Sequence, residues 1–167
     1  MIGMLAMILY HGSNVEVSEP KIVRPIRTLD FGPGFYTTAN RKQAENFALR
    51  ITPKRGTGLA TVSCYEFDAK ALAGCMTLDF ISPNAEWLDF VADNRNDVYA
   101  GPSYDFVHGP IANDDVYRTL LFYFEGLMTK DVALAALKVR KLYNQYVFKS
   151  EKALAALRFV GSEVIHG

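Results

Sequence analysis

Two hydrophobic patterns stand out in the first third of the chain: a short apolar run typical of a strand, and an apolar spacing typical of a helix. The apolar residues 7–10 predict a strand that stops where small and polar residues begin. A polar stretch with two prolines over residues 16–28 indicates a surface loop. Apolar residues then recur at i, i+3, i+4 and i+7, which predicts an amphipathic helix over residues 41–51, capped by Asn40 and ended by Pro53.

Short segments of both kinds fill the rest of the chain. Strands are predicted over residues 59–67, 76–81, 104–108, 146–148 and 158–165. Helices are predicted over residues 83–91, about 131–142 and 151–157. This order lacks the regular strand–helix alternation of a doubly wound sheet, so the sequence predicts an α+β fold with a mainly antiparallel sheet.

Another strong helical pattern lies between these segments. Asn113 is placed to cap it, and Asp114 and Asp115 would complement the helix dipole in its first turn. Its predicted buried face comprises Val116, Leu120, Tyr123, Phe124 and Leu127.

Composition limits the class of protein. The chain has 167 residues, 50% of them hydrophobic, which suits one domain over residues 1–167 with a substantial core. Its 18 basic and 18 acidic residues balance, which argues against coating nucleic acid or an anionic membrane by bulk charge. No stretch approaches the roughly 20 apolar residues that cross a bilayer, so we expect a soluble, cytoplasmic protein without a membrane partner, translated from Met1 or Met7.

Several kinds of chemistry find no support in the residue types present. The cysteines Cys64 and Cys75, with three histidines, form neither a disulfide framework nor a zinc motif, so no metal is expected. No Gly-x-Ser-x-Gly turn or phosphate-binding Gly-x-x-x-x-Gly-Lys loop occurs. The segment Gly32-Pro33-Gly34 keeps only the first two glycines of a dinucleotide-binding turn, and aromatic residues follow it.

Three short motifs remain, each weak alone but informative in order. They read Tyr10-His11-Gly12-Ser13, Phe31-Gly32-Pro33-Gly34-Phe35-Tyr36 and Tyr143-Asn144-Gln145-Tyr146. Together they resemble the poly(ADP-ribose) polymerase branch of the ADP-ribosyltransferase superfamily, over residues 9 to about 160. The chain is most similar to the small, single-domain bacterial proteins of that branch, which are associated with toxin or phage-defence loci.

The resemblance implies a split antiparallel β-sheet with flanking helices, and NAD as the substrate. His11 would bind the adenosine ribose, the backbone of Gly12 would hold the nicotinamide carboxamide, and Ser13 would support that turn. Tyr36 and Phe47 would stack on the two faces of the nicotinamide ring. Cleavage of the nicotinamide–ribose bond needs much positioning and little acid–base work, which such a site supplies. The implied activity is that of a mono-ADP-ribosyltransferase.

Two positions depart from the family pattern. Ala44 stands where the polymerases have a serine hydroxyl, so one hydrogen bond to the carboxamide is missing unless Gln43 replaces it. Gln145 stands at the catalytic glutamate position, where an amide can bind a ribose hydroxyl but carries no charge. Polymer synthesis is therefore not expected, and Glu151 or Asp105 is a candidate source of the missing carboxylate.

The candidate catalytic residues are thus His11, Tyr36 and Gln145. The implied partners are NAD, a protein or nucleic-acid acceptor, and a neutralising antitoxin protein. The alternative is a catalytically weak or inactive NAD- or ADP-ribose-binding module with a protein partner. A third hypothesis, transfer to a nucleic-acid 2′-phosphate or base, fits less well with the neutral overall charge.

Other polar residues have structural explanations beside the functional ones. Arg24 and Arg27 are candidates for binding the pyrophosphate of NAD, or else are solvated loop charges. Helix capping accounts for Asn113 and Asp114 without any contact to substrate. The remaining residues considered are interpreted as substrate contacts or surface groups (Asp105, His108) and as structural (Trp87, Cys64, Cys75).

Overall fold

The computed structural model describes residues 7–24, 28–112, 114–138 and 142–167. The strands of this part are β1 (Met7–Ser13), β2 (Phe35–Thr38), β3 (Thr61–Phe67), β4 (Thr77–Asp79), β5 (Phe106–Pro110), β6 (Asn144–Phe148) and β7 (Leu157–Val164). Its helices are α1 (Arg41–Arg55), α2 (Ala85–Arg95), α3 (Asp114–Phe124), α4 (Lys130–Lys138) and α5 (Glu151–Leu154), with a 3₁₀ turn at Ala69–Leu72.

All seven described strands belong to one sheet, in the order β4-β5-β6-β2-β1-β3-β7. Every neighbouring pair is antiparallel except β4 and β5, which are parallel. The predicted α+β class with a mainly antiparallel sheet is therefore confirmed, and the parallel edge pair makes the sheet mixed.

The sheet has a narrow junction at its centre. Strand β1 pairs with β3 along its whole length, and β2 pairs with β6 along its whole length. Between β1 and β2, however, the register contains a single pair, Tyr10 with Thr38. The two halves of the sheet are thus joined at one point, and β1 continues past it to Ser13 without a ladder to β2.

Each face of the sheet covers its own hydrophobic core, because alternate side chains of a strand point to opposite faces. Val107 and Val147 pack with helices α2, α3 and α4, whose buried members include Trp87 and Leu120. On the other face, Leu9, Phe35, Tyr65, Phe106 and Phe148 form a second core with Ala153 and Leu154 of α5. Trp87 is fully buried, and its Nε1 donates to the carbonyl of Pro110 at 2.9 Å, which ties α2 to β5.

Two sequence predictions about element ends need correction. Helix α1 does not stop before Pro53 but runs to Arg55. The proline removes one hydrogen bond in the last turn, and Gly56, whose φ of 73° allows a left-handed cap, follows the last helical residue. Leu127 does not extend the buried face of α3, because the helix ends at Phe124 and Leu127 is 70% exposed.

Some predictions concern residues that the structure does not describe. The expected cap Asn113 and the candidate phosphate ligand Arg27 lie outside the described residues. Helix α4 is described to Lys138, short of the predicted end at 142, and residues 139–141 are not described. Among the helices that are described, none is long and apolar enough to cross a membrane.

Candidate functional site

His11 lies on β1, just past the junction of the two half-sheets. Its Nδ1 is 2.7 Å from the carbonyl oxygen of Tyr36 on β2, and its ring stacks on Phe35 with centroids 4.3 Å apart. Since a carbonyl only accepts, Nδ1 carries the proton, and the neutral ring presents Nε2 as an acceptor. Burial, assisted by the charge of Arg55 and opposed by the Tyr36 hydrogen bond, lowers the pKa of His11. The site therefore holds a neutral histidine whose Nε2 suits a hydroxyl donor.

Gly12 lies against the first half of helix α1. A Cβ at this position would be 2.2 Å from the carbonyl oxygen of Ala44 and 3.2 Å from the backbone nitrogen of Ala48. Both alanines are buried. Glycine at 12 is thus required by the close approach of strand and helix backbones, and this contact brings the sequence positions 12 and 44 together.

Ser13 ends β1 in a polar cluster with Asn14 and Arg55. Ser13 is 4% exposed, and its hydroxyl donates to Asn14 Oδ1 at 3.3 Å. Arg55 Nη1 donates to Ser13 Oγ at 3.2 Å and to Asn14 Oδ1 at 2.8 Å. The end of α1 and the end of β1 therefore place a guanidinium beside the His-Gly-Ser motif.

The hydroxyl of Tyr36 is fully used inside the protein. It accepts from the backbone nitrogen of Phe31 at 3.0 Å and donates to the carbonyl of Gly32 at 2.6 Å. Burial and the nearby carboxylate of Asp30 raise the pKa of Tyr36 far above its usual range. Tyr36 therefore fixes the loop before β2 through its hydroxyl, while its partly buried ring packs against the core beneath α2, α3 and α4.

Phe47 lies on α1 and is half-buried. The guanidinium of Arg50 is 5.5 Å from the centre of its ring. Between these two described residues, Tyr36 and Phe47, there is no ring–ring contact, so the expected aromatic sandwich is not closed in this structure.

Gln145 lies on β6 at the centre of the sheet. It pairs with Thr38 of β2 and Gly109 of β5, and it is only 5% exposed. Its Nε2 is 3.4 Å from Asp30 Oδ2 and 3.4 Å from the carbonyl of Pro110. The position that lacks a carboxylate in the sequence motif thus has a buried carboxylate next to it.

Asp30 is held by a set of charged and backbone donors. Arg95 of α2 contacts Oδ1 through Nε at 2.7 Å and Nη2 at 2.5 Å, and the backbone nitrogen of Ala112 donates to Oδ2 at 3.0 Å. Asp30 is 5% exposed, so this ion pair lies mostly out of water. The carboxylate links the loop before β2, the end of α2 and Gln145.

The other carboxylates considered from the sequence lie elsewhere. Asp105 Oδ2 accepts from the backbone nitrogen of Met76 at 2.8 Å, and hydrogen bonds from Met76 and Ser150 lower its pKa. Glu151 is exposed in the first turn of α5. Neither contacts Gln145, and Asp30, which the sequence did not single out, takes that place.

Remaining candidates serve local structure in this geometry. The side-chain Oε1 of Gln43 accepts from Thr38 Oγ1 at 3.0 Å. His108 Nδ1 is 2.6 Å from Asp79 Oδ1, and its ring lies 4.3 Å from that of Tyr146, on strands remote from His11. Arg24 is exposed. Cys64 and Cys75 are unpaired thiols, and no group of three or more His, Cys, Asp or Glu side chains in the described ranges could hold a metal.

Two concave regions lie away from His11. One, of about 250 Å³, is next to the third motif and is lined by Thr38, Ala39, Asn40, Tyr143, Asn144 and Tyr146. The other, of about 560 Å³, lies between the start of α2 and helix α4. The first reaches the β2 and β6 positions adjoining Gln145, so it extends the motif region rather than opening onto Gly12.

Residues missed by the sequence analysis are Asp30, Arg55 and Lys149. Lys149 Nζ donates to the carbonyls of Phe31 and Pro33 at 2.5 and 2.7 Å and so fixes the loop before Tyr36. Burial lowers the pKa of Lys149 to about 8. Of the three, only Asp30 had a signal in the sequence, because it directly precedes the second motif. Arg55 and Lys149 reach the motifs from distant segments of the chain.

Comparison with known proteins identifies the family. The family model described as "Protein of unknown function (DUF3990)" matches residues 7–159, so the chain belongs to this family. Neither a curated protein nor a solved structure matches the chain.

Proposed function

We propose that this member of the DUF3990 family is an NAD-dependent mono-ADP-ribosyltransferase with a split-sheet fold of the ADP-ribosyltransferase kind. The observation that carries the proposal is the adjacency of the three motifs. Far apart in the chain, they lie on consecutive strands β1, β2 and β6, with Tyr10, Thr38 and Gln145 in one cross-strand row. Motifs without a shared function would not be expected to lie together at the narrow junction between β1 and β2.

The junction supplies a place for a flat ligand. Past Tyr10, strand β1 leaves β2, and the His11 side chain bridges the two strands through the Tyr36 carbonyl. In the proposal, backbone groups of β1 past Tyr10, which pair with β3 but not with β2, bind an amide such as the nicotinamide carboxamide. Gly12 is buried there and, without a Cβ, packs its backbone directly on α1.

In the proposed reaction, the bond between the nicotinamide nitrogen and ribose C1′ breaks, and its electron pair stays with nicotinamide. The positively charged ribose then bonds to a nucleophilic atom of the acceptor, which loses a proton to solvent. His11 Nε2 accepts a hydrogen bond from a hydroxyl of the adenosine ribose, and the Tyr36 ring stacks on nicotinamide. The Gln145 amide binds the ribose attached to nicotinamide. Positioning and electrostatic stabilisation carry the catalysis.

Asp30 adds charge to this arrangement. The Gln145 amide is neutral, but the Asp30 carboxylate lies 3.4 Å behind its Nε2. A negative charge at that distance polarises the amide and favours a developing cation in front of it, although Arg95 offsets part of the field. This supports transfer of a single ADP-ribose and gives no group to act as base for polymer growth.

A second candidate is a binding module that holds NAD or ADP-ribose, together with a protein partner, without turnover. The environment of Gln145 favours it, because this residue is 5% exposed and already bonded within the protein. A glutamine so placed can hold a fold together without contacting a ribose.

Nicotinamide release from NAD, in the presence of a bacterial lysate as acceptor source, tests the proposal. The wild type is run beside His11→Ala and a matched control, His166→Ala, whose histidine is exposed near the end of the chain. Tyr36→Phe, which keeps the ring, is run beside Tyr36→Leu, which does not. Folding of each variant is checked by circular dichroism and thermal melting.

A transferase loses release in His11→Ala and Tyr36→Leu and keeps it in His166→Ala and largely in Tyr36→Phe. Saturable NAD binding without release from the wild type supports the binding module. The double variant Gln145→Glu with Asp30→Asn then exchanges carboxylate and amide at constant charge, and release by this variant would identify Gln145 as the cause. Neither binding nor release in the wild type rejects both functions.

A further inference from the structure

We propose that Arg55 binds a phosphate group of the dinucleotide, on the adenosine side of the site. The inference rests on the proposed function, since it names the residue that holds the anionic part of the same ligand. It adds a residue at the end of α1 to the candidates from the sequence, Arg24 and Arg27.

The end of α1 is built to bring Arg55 to the end of β1. Gly56 closes the helix with a φ of 73°, and Gly58, with a φ of 76°, passes so close to Asn14 that a Cβ would be 2.0 Å from its carbonyl oxygen. The backbone nitrogen of Leu59 donates to that same oxygen at 2.9 Å. The chain therefore folds back tightly on β1, and this turn fixes where Arg55 can reach.

The Arg55 guanidinium is held in place by hydrogen bonds, but no carboxylate in the described ranges balances its charge. Nη1 makes both contacts, to Ser13 Oγ and to Asn14 Oδ1, which are neutral groups. Within the described ranges, Arg55 has no carboxylate within ion-pair distance, and its Nε and Nη2 have no hydrogen-bond partner. Other described arginines are paired with carboxylates, such as Arg41 with Glu163 and Arg158 with Glu66. An arginine held in place with one edge of its planar group free is suited to bind a phosphate through two parallel hydrogen bonds.

The position of Arg55 selects the adenosine side. Arg55 contacts Ser13, which is two residues from His11 on β1, so the Ser13 and His11 side chains lie on the same face of the strand. The charge of Arg55 also contributes to the lowered pKa of His11, whose Nε2 is the proposed ribose acceptor. A phosphate attached to the ribose that His11 binds is the anion that would come within reach. The 5′-diphosphate of NAD and the 2′-phosphate of NADP share this chemistry, and the experiment separates them.

Affinities of ADP-ribose, NAD, NADP and adenosine are measured by calorimetry for the wild type, Arg55→Met and Lys54→Met. Lys54 is the matched control, because it is the adjacent exposed cation on α1 and makes no contact with Ser13 or Asn14. Loss of one charged hydrogen-bonding group should weaken ADP-ribose and NAD about 10- to 100-fold in Arg55→Met, with adenosine unchanged. Lys54→Met should stay within about twofold, and Arg55→Lys should recover part of the loss.

The ligands also identify which phosphate is bound. Equal losses for NAD and NADP indicate the diphosphate, while a preference for NADP that disappears in Arg55→Met indicates the 2′-phosphate. Unchanged ADP-ribose affinity in Arg55→Met would overturn the assignment even if the wild type releases nicotinamide. An equal loss for adenosine would also overturn it, because Arg55 would then act only by holding the β1 end. A wild type that binds none of the four ligands rejects this inference together with the proposed function.

Discussion

Replacing Gly12 with alanine would add a methyl group that clashes with the backbone of helix α1. The new Cβ would be 2.2 Å from the Ala44 carbonyl oxygen, while an ordinary contact begins near 3.4 Å, so strand and helix would have to separate by about 1.2 Å. Neither backbone can rotate away as a side chain would. Truncation of the neighbour, Ala44→Gly, cannot relieve the clash, because the clashing atom is a main-chain oxygen.

The cost follows from the packing that the separation would weaken. Ala44 and Ala48 are 3% and 0% exposed and lie directly on β1. Overpacking of a buried contact costs about 1–3 kcal/mol and occasionally more, and a clash between two backbones belongs at the upper end, about 3 kcal/mol. For a protein of this size, that loss lowers the melting temperature by roughly 6–12 °C.

Thermal unfolding followed by circular dichroism at pH 7 measures the effect. Gly101→Ala is the matched control, because the atoms nearest its new Cβ belong to a side chain, that of Tyr99 with its hydroxyl at 2.6 Å, and not to a backbone. We expect the control to melt above Gly12→Ala, and the double variant Gly12→Ala with Ala44→Gly to melt no higher than Gly12→Ala. If Gly12→Ala melted within about 2 °C of the wild type, the close strand–helix contact would be refuted.

Three further changes test the interior around the site. Burial lowers the pKa of Lys149 to about 8 from the usual 10.5, so between these values the unfolded chain binds more protons and stability rises with pH. Urea unfolding at pH 7.5 and 9.5 should show that the free energy of unfolding of the wild type rises by about 1 kcal/mol, after allowance for solvent screening. Lys149→Met should not show this rise. An equal pH dependence of the two proteins would contradict the lowered pKa. Asp30→Asn leaves Arg95 without its buried partner and should cost about 2–3 kcal/mol in urea unfolding, with no loss arguing against the ion pair. Trp87→Phe replaces a fully buried indole by a smaller ring without the N–H that donates to the Pro110 carbonyl, and it should cost about 2–3 kcal/mol. A cost below about 0.5 kcal/mol would show that the core refills the space.

Local patterns were sufficient for most elements of the fold. The helical spacing of apolar residues after Asn40 located α1, and that cap is present, with the Asn40 side chain accepting from the Gln43 nitrogen. Alternation and β-branched residues located β3 and β7 within two residues. Such signals work because a helix turn or a half-buried strand imposes its period on the residues that form it.

The sequence did not predict the structural features that depend on contacts with distant segments of the chain. Strand β2 has four residues and no internal period, and it is a strand because it pairs with β6 over its whole length. Pro53 predicted a helix end, yet α1 continues for another two residues to Arg55, where Gly56 caps it against the end of β1. In both cases, contacts with distant segments decided the structure.

For the candidate site, the sequence by itself selected the residue types: the motifs around His11, Tyr36 and Gln145, and the absence of a carboxylate at the last of these. Only the tertiary structure put Asp30 beside Gln145 and Arg55 beside Ser13. A motif is read from neighbours along the chain, where covalent geometry fixes the spacing. Charges that meet across a sheet or at a helix end are separated by many residues, and their distance is set by how the two cores pack.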